Sequence, residues 1–340
     1  MTPAELSRTV LATVRRAVEA AELSVAVPER VVVQRPPRPG CGDYATNVAL
    51  QLAGPAGRPP REVAAVLARR LAKEPGIAQV EIAGAGFLNI TLSARAYGDV
   101  VRQVRQQRAE YGHGDGLRDE ALVVTGETGC RAALVAETVN RLLFAAGARP
   151  GPPHPLLVAE PQPGPQPQPE AEAGAETAAA QRLGDDATRW ALLRPPAEDV
   201  PRLTPDLLVQ RESNPLFRVR YAHARTRALL RNAHDLDVDI EQPARNPYHH
   251  PAETELLGLI ADFPRVVETA ARRRAPDRVA RHLERLADAF LRFHDECPPL
   301  PRGEEKPSPV HAARLRLADA SGVVLAAGLH LLGITAPDHL

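Results

Sequence analysis

Lysine is almost missing from this chain: of 42 basic residues only Lys73 and Lys306 are not arginine. Alanine and the 34 prolines are correspondingly abundant, the mark of a coding bias, so the loss of a lysine motif says little taken alone. Cysteine is as scarce. Cys41, Cys130 and Cys297 lie far apart with no paired spacing, which argues against a disulfide framework and against a structural zinc site. The 11 histidines include the neighbours His249 and His250, but no adjacent cysteine or carboxylate pattern makes them ligands. They read as surface loop residues, and neither a metal nor a cofactor is expected. No apolar run approaches a membrane span, and the N-terminus opens as an amphipathic helix with acidic residues in place of an apolar signal core. The expected location is the cytoplasm, with no membrane partner and a monomeric state. Net charge is lacking too, 42 acidic residues balancing the 42 basic ones. Affinity for a polyanion must therefore come from local faces, because there is no global field.

What is present suffices for two or three domains, since 340 residues with 44% hydrophobic content are ordinary for a globular chain. Thr2 and Glu5 have capping-box spacing around Pro3, and Leu6, Val10, Val14 and Val18 then recur every fourth residue. Past Pro28 come a β-branched run, Val31 to Val33, a proline-rich turn, and helical patterns over roughly 44–53 and 60–73. Gln79 to Ile82 and Phe87 to Leu92 alternate as strands around Ala83-Gly84-Ala85-Gly86, and 94–110 returns to helix. Residues 1–117 thus read as an α+β domain with a small sheet covered by helices. From 150 to about 180 proline, alanine, glutamine and glutamate replace hydrophobic periodicity, which predicts a semi-stiff tether, assigned to 150–182. Everything after it is helical, near 183–193, 203–211, 215–234, 252–274, 276–296 and 308–333. The last segment carries the apolar stripe Leu315, Leu317, Val323, Val324, Leu325, Leu329, Leu331 and Leu332, so 183–340 is expected to be an all-α bundle.

Between domain and tether stands "LVVTGETGCRAALVAETVNRLLFAAGA", residues 122–148, a buried strand, a glycine turn and a helix. Such a unit makes an anion site when amides and helix dipole point at the ligand. Here the turn offers Gly126, Glu127, Thr128, Gly129, Cys130 and Arg131, which match neither the phosphate-loop nor the dinucleotide spacing, and Glu127 repels phosphate. The alternative is a plain strand-to-helix connection whose Leu122, Val123, Val124, Leu134, Leu142 and Leu143 need burial.

"GDYATNVALQLA" (42–53), "PREVAAVLARRLA" (60–72) and "VEIAGAGFLNITLS" (80–93) closely resemble the N-terminal additional domain of arginyl-tRNA synthetases. "LGDDATRWALL" (183–193), "NPLFRVRYAHARTRALL" (214–230), "ADFPRVVETAARRRAPDRVARHLERLADAFLRFHDEC" (261–297) and "GLHLLGITAP" (328–337) resemble the C-terminal DALR anticodon-binding bundle of the same family. The resemblance implies a multidomain chain: the N-terminal-like α+β domain at 1–117, a short remnant of an α/β catalytic domain at 118–149, the linker at 150–182, and the anticodon-binding-like all-α helical bundle at 183–340. The family's catalytic domain is doubly wound, with a HIGH-type motif after its first strand and a KMSKS-type loop near its end. That architecture needs on the order of 100 to 150 residues, whereas about 65 separate Leu117 from Leu183. No His-x-Gly-His occurs in the chain, and His113 precedes the strand.

In the family the N-terminal domain contacts the tRNA D-loop. By resemblance Phe87 stacks on a splayed base and Asn89 hydrogen-bonds its edge, the alternative being a buried Phe87 and a capping Asn89; Gly84 stands where some members carry an amide. On the bundle, Arg220, Arg227 and Arg231 share one helix face, with Arg218 and Arg225 on another. Together with Tyr221 and His223 this stripe is suited to anticodon-stem phosphates and a loop base. Arg274, Arg278, Arg281 and Arg285 repeat the spacing, with a solvated face paired to local acids as the equal alternative. His294 stands where the family commonly has tyrosine, and Leu340 where it often ends in methionine. Three functions follow: a non-catalytic paralogue binding tRNA, the arginine tRNA by resemblance; a protein-interaction module docking a partner protein or enzyme; and an arginine-tRNA ligase with ATP binding, disfavoured by the missing motifs.

Overall fold

The computed structural model describes the chain apart from residues 37–40, 127–129, 160–168 and 244–247. It divides into two compact units, Met1–Arg102 with Asn246–His249, and Gln103–Arg245 with His250–Leu340.

In the first unit, helix α1 (Pro3–Glu19) starts where the sequence pattern places it. The Glu5 amide donates to Thr2 Oγ1 at 3.3 Å and the Thr2 amide to the Glu5 carboxylate at 2.7 Å, so two orphan amides are capped reciprocally. Leu6, Val10 and Val14 are fully buried, and α1 packs on α3 (Pro60–Leu71). The segment expected as helix over 44–53 instead divides into strand β1 (Tyr44–Thr46) and helix α2 (Val48–Ala56). Tertiary hydrogen bonds override the local pattern there: Thr46 Oγ1 donates to the Val32 carbonyl at 2.9 Å, and the Leu92 amide to the Asp43 carboxylate at 2.7 Å. Val31 to Val33 form no strand of their own, but Gln34 bridges Ala45. Strands β2 (Ile77–Ala83) and β3 (Phe87–Leu92) complete an antiparallel sheet of order β1-β3-β2. Leu88, Ile90 and Leu92 point into the core, so strand alternation turns Phe87, Asn89 and Thr91 to the opposite face. Helix α4 (Ala94–Gln107) follows and ends in a 3₁₀ turn, Arg108–Glu110.

In the second unit, β4 (Ala121–Gly126) and β5 (Arg149–Leu156) form a two-stranded parallel sheet joined through α5 (Cys130–Ala145). Asn140 brackets β4: its Oδ1 accepts the Val124 amide at 2.7 Å and its Nδ2 donates to the Val124 carbonyl at 2.8 Å. Val124, Leu142 and Leu143 are buried, while Leu122, Val123 and Leu134 are half-buried. The tether expected from 150 is corrected at both ends. Residues to Leu156 are strand, tolerating Pro150, Pro152, Pro153 and Pro155 because an edge strand has spare amide positions. From Pro169 the chain is helix α6 (Pro169–Leu193), broken at Gly184 by φ 72° and ψ 170°; the middle of the expected tether, 160–168, lies outside the described residues.

The helix expected over 203–211 reduces to a 3₁₀ turn, Pro205–Leu208. Helices α7 (Pro215–Asp235), α8 (Pro251–Arg273), α9 (Asp277–Glu296) and α10 (Pro309–Leu331) form the bundle. Asn214 caps α7 by accepting the Leu216 and Phe217 amides, and Ser308 caps α10 through the His311 amide. Val279, Leu283, Leu286, Phe290 and Phe293 bury one whole face of α9. A Cβ on Gly328 of α10 would stand 2.5 Å from Leu283 Cδ2, so a larger residue there would force the buried Leu283 side chain to shift. Among the described residues no helix is long and apolar enough to cross a membrane.

Candidate nucleic-acid interface

The first surface is the β2–β3 hairpin. Gly84 and Gly86 sit at φ +53° and +144°, and a Cβ on Gly86 would lie 3.1 Å from the Pro60 carbonyl, so glycine is needed where the turn passes the start of α3. Arg61 Nη1 donates to the Gly84 carbonyl at 3.4 Å. Phe87 follows and is 41% exposed, a ring that the turn leaves uncovered. Asn89, 9% exposed, lies on the same face between Ala45 and Glu81. Gln79 Nε2 donates to Glu81 Oε1 at 2.8 Å beside it. The ring of Phe87 is thus accessible, as a stacked base requires, whereas Asn89 is buried in the sheet and does not present its amide at the surface.

The second surface is α7, and here the tail after α10 intervenes. Arg227 Nε lies 3.2 Å from the Asp338 carboxylate, and Arg231 donates to the Asp338 carbonyl at 3.4 Å. Arg220 lies 3.6 Å from Asp186, which also accepts the Thr335 amide at 3.0 Å. Arg218 pairs with Asp288, and Arg225 Nε donates to His294 Nε2 at 3.3 Å. The arginines thus lie on two faces of α7, Arg220, Arg227 and Arg231 on one and Arg218 and Arg225 on the other, and every one of them is engaged within the unit. His223, only 4% exposed, belongs to the interior: its Nδ1 donates to the Pro337 carbonyl at 2.9 Å, and burial is the chief cause holding its pKa down. It positions the tail. Tyr221, 38% exposed, stacks on Phe217 with ring centroids 5.7 Å apart. His294 and Leu340 do not share a pocket. His294 lines an open cleft of about 240 Å³ with Arg225, Asn232 and Arg302, whereas Leu340 borders another of about 480 Å³ with Arg220 and Phe217.

The third surface, α9, departs from α7. Arg281 lies 3.3 Å from Asp277, and two further acids of α9 are taken from other helices and loops, Glu284 by Arg194 and Asp288 by Arg218. Arg278 and Arg285 are exposed, and no described residue pairs with either side chain. At the 122–148 unit, the turn residues 127–129 lie outside the described residues. Arg131 just after them is completely buried and donates to the carbonyls of Leu192, Ala159, Asp199, Pro195 and Pro196. Its guanidinium is spent on tying α5 to the end of α6, a use that spacing could not reveal because the acceptors lie on other segments.

Two family models match this chain: the arginyl tRNA synthetase N terminal domain over residues 8–92, and the DALR anticodon binding domain over residues 219–340. The chain carries the two terminal domains of an arginyl-tRNA synthetase. The arginine–tRNA ligase of Frankia alni is 29% identical over 552 aligned residues that take in all of both chains. This arginyl-tRNA synthetase-like chain has 340 residues, so 552 less 340 leaves at least 212 aligned positions with no counterpart in it. The arginine–tRNA ligase of Clavibacter sepedonicus is 45% identical over 161 residues, 46% of this chain and 29% of that one. Among solved structures, the arginyl-tRNA synthetase of Thermus thermophilus shares the fold, with a TM-score of 0.70 at 14% identity and full coverage of both chains.

Proposed function

We propose that this arginyl-tRNA synthetase-like chain is a non-catalytic paralogue that binds tRNA at both of its family domains without aminoacylating it. The observation that carries this reading is that at least 212 aligned positions of the Frankia relative have no counterpart in this chain, while both terminal domains are retained. Between them the described structure holds two parallel strands and one long helix, well short of a doubly wound nucleotide-binding sheet. Neither a His-x-Gly-His segment nor a lysine loop is present in the sequence, and these groups supply the preorganised charge that stabilises phosphate transfer, commonly several kcal/mol. We therefore assign 118–149 as a structural remnant, with Phe87 as the D-loop contact. Tyr221, Arg227, Arg231 and His294 lie at the anticodon end, where Asp338 has to yield for Arg227 to take a phosphate. The arginine tRNA is the substrate class the family names.

Two measurements test it together. Full-length protein mixed with total tRNA shifts it at low salt, and binding weakens steeply between about 50 and 200 mM salt because phosphate neutralisation releases counterions. Arginine-dependent ATP–pyrophosphate exchange stays at background. Exchange above background restores the ligase reading, and absence of any shift at low salt leaves the protein-docking module.

A further inference from the structure

Which arginines are at liberty to hold an anion differs between the two stripes. On α7 the guanidiniums of Arg218, Arg220, Arg227 and Arg231 contact acids or tail carbonyls of their own chain. At the α8–α9 corner, the side chains of Arg273, Arg274, Arg278 and Arg285 make no described hydrogen bond or ion pair; Asp277, which pairs with Arg281 at 3.3 Å, also feels the charges of Arg278 and Glu198. Two features make this charge costly to the fold itself. Arg278 sits in the first turn of α9 and Arg281 in the second, where the helix dipole already presents positive potential and a basic residue is unfavourable. Arg274 adopts φ 51° and ψ 40° as the C-cap of α8, a left-handed position that glycine normally fills and any side chain strains. Arg278, Arg281 and Arg285 project from one side of α9 at spacings of three and four, about 10 Å from first to last at 1.5 Å per residue.

We propose that the α8–α9 corner, centred on Arg274, Arg278 and Arg285, is the surface by which this chain grips an RNA phosphate backbone. The inference rests on the tRNA-binding reading above and gives it a different phosphate-binding face. RNA is the partner its chemistry fits: planar guanidiniums in a row, without an intervening apolar anchor, suit a line of phosphate oxygens, whereas a protein interface of useful affinity needs a buried aromatic or aliphatic centre. Backbone contacts of this kind position without reading sequence, so the face acts on every tRNA alike.

The test uses full-length protein, total tRNA, and polyglutamate as an acidic-polypeptide probe. The double variant Arg278→Gln with Arg285→Gln is compared with Arg8→Gln and Arg15→Gln on α1, two exposed arginines seven apart whose removal changes net charge equally. The α9 pair is expected to weaken tRNA binding roughly tenfold at 100 mM salt and to flatten the slope of log affinity against log salt by about 2, each phosphate contact contributing close to 1. The α1 pair is expected to change affinity less than twofold. Equal effects of the two pairs, or an unchanged salt slope for the α9 pair, overturn the assignment while the tRNA-binding reading stands. Loss of polyglutamate binding with tRNA binding intact assigns the corner to an acidic protein and overturns it too. If wild-type protein fails to shift tRNA at low salt, both readings fall.

Discussion

Arg131 and His223 are buried polar side chains whose partners are backbone carbonyls, and each makes a definite prediction. Arg131 gathers five carbonyls, that of Leu192 in the interior and the other four part-buried. Replacing it with alanine leaves those acceptors unsatisfied and a cavity beside them, a loss of about 3 to 5 kcal/mol by urea unfolding. Arg131→Lys keeps the charge but cannot reach all five acceptors, so it should fall between. If Arg131→Ala unfolds at the wild-type urea concentration, the described hydrogen bonds carry no stability. His223 makes a pH prediction. Burial outweighs the Pro337 carbonyl and Asp338, so its folded pKa lies below the ordinary 6.5. Below pH 6.5 the unfolded chain takes up a proton that the folded bundle refuses, so stability falls as pH drops through 6.5 towards the lowered folded value. His223→Asn keeps a donor towards Pro337 without titrating. Its melting temperature should decline less than that of wild type between pH 7.5 and 5.5, and parallel declines would show that His223 does not matter to this loss.

At the level of elements, Asn140 shows what a two-stranded parallel sheet requires. Parallel strands usually sit inside a larger sheet, and β4 meets on one flank a single asparagine amide that imitates one residue of a neighbouring strand. Asn140→Leu removes both hydrogen bonds at similar volume and leaves the Val124 amide and carbonyl exposed to pairing with another chain. A loss of about 2 kcal/mol, with concentration-dependent light scattering on warming, is expected. A variant as stable and as dispersed as wild type would show that water satisfies that edge equally well. The same elements show how far the sequence could be read. Helix α1, with both a capping box and a periodic apolar face, was legible because both signals are local, and α9 was legible from its apolar periodicity. The 44–46 strand was not, because the Val32 and Leu92 contacts that hold it extended come from elsewhere in the chain. Strand β5 was hidden by its prolines, which count against a strand unless its edge position is known. At the candidate site, spacing gives which arginines of α7 and α9 share a helix face but not what they meet: only the fold shows that Asp338 and Asp186 contact one stripe and that Arg278 and Arg285 make no described ion pair.

For the molecule as a whole, a formal charge of zero means that binding to a polyanion is a property of faces, and the two kinds of face leave different signatures. On the proposed reading Phe87 acts by stacking, worth about 1 to 3 kcal/mol per base and insensitive to salt; Phe87→Ala should therefore weaken tRNA binding some five- to a hundredfold with the salt slope unchanged. The α9 arginines, on the proposal above, act by charge, so their loss should flatten the slope. Phe87 belongs to one compact unit and Arg278 and Arg285 to the other, and their side chains share no partner. If both faces grip the same tRNA independently, the triple variant should lose affinity by the product of the separate factors, because distant sites add in free energy. A silent Phe87→Ala would confine tRNA to the bundle. A triple variant no weaker than the α9 pair, with Phe87→Ala harmful by itself, would mean that the contact at Phe87 forms only after the arginines have engaged, and titrations of the four proteins at two salt concentrations distinguish these outcomes.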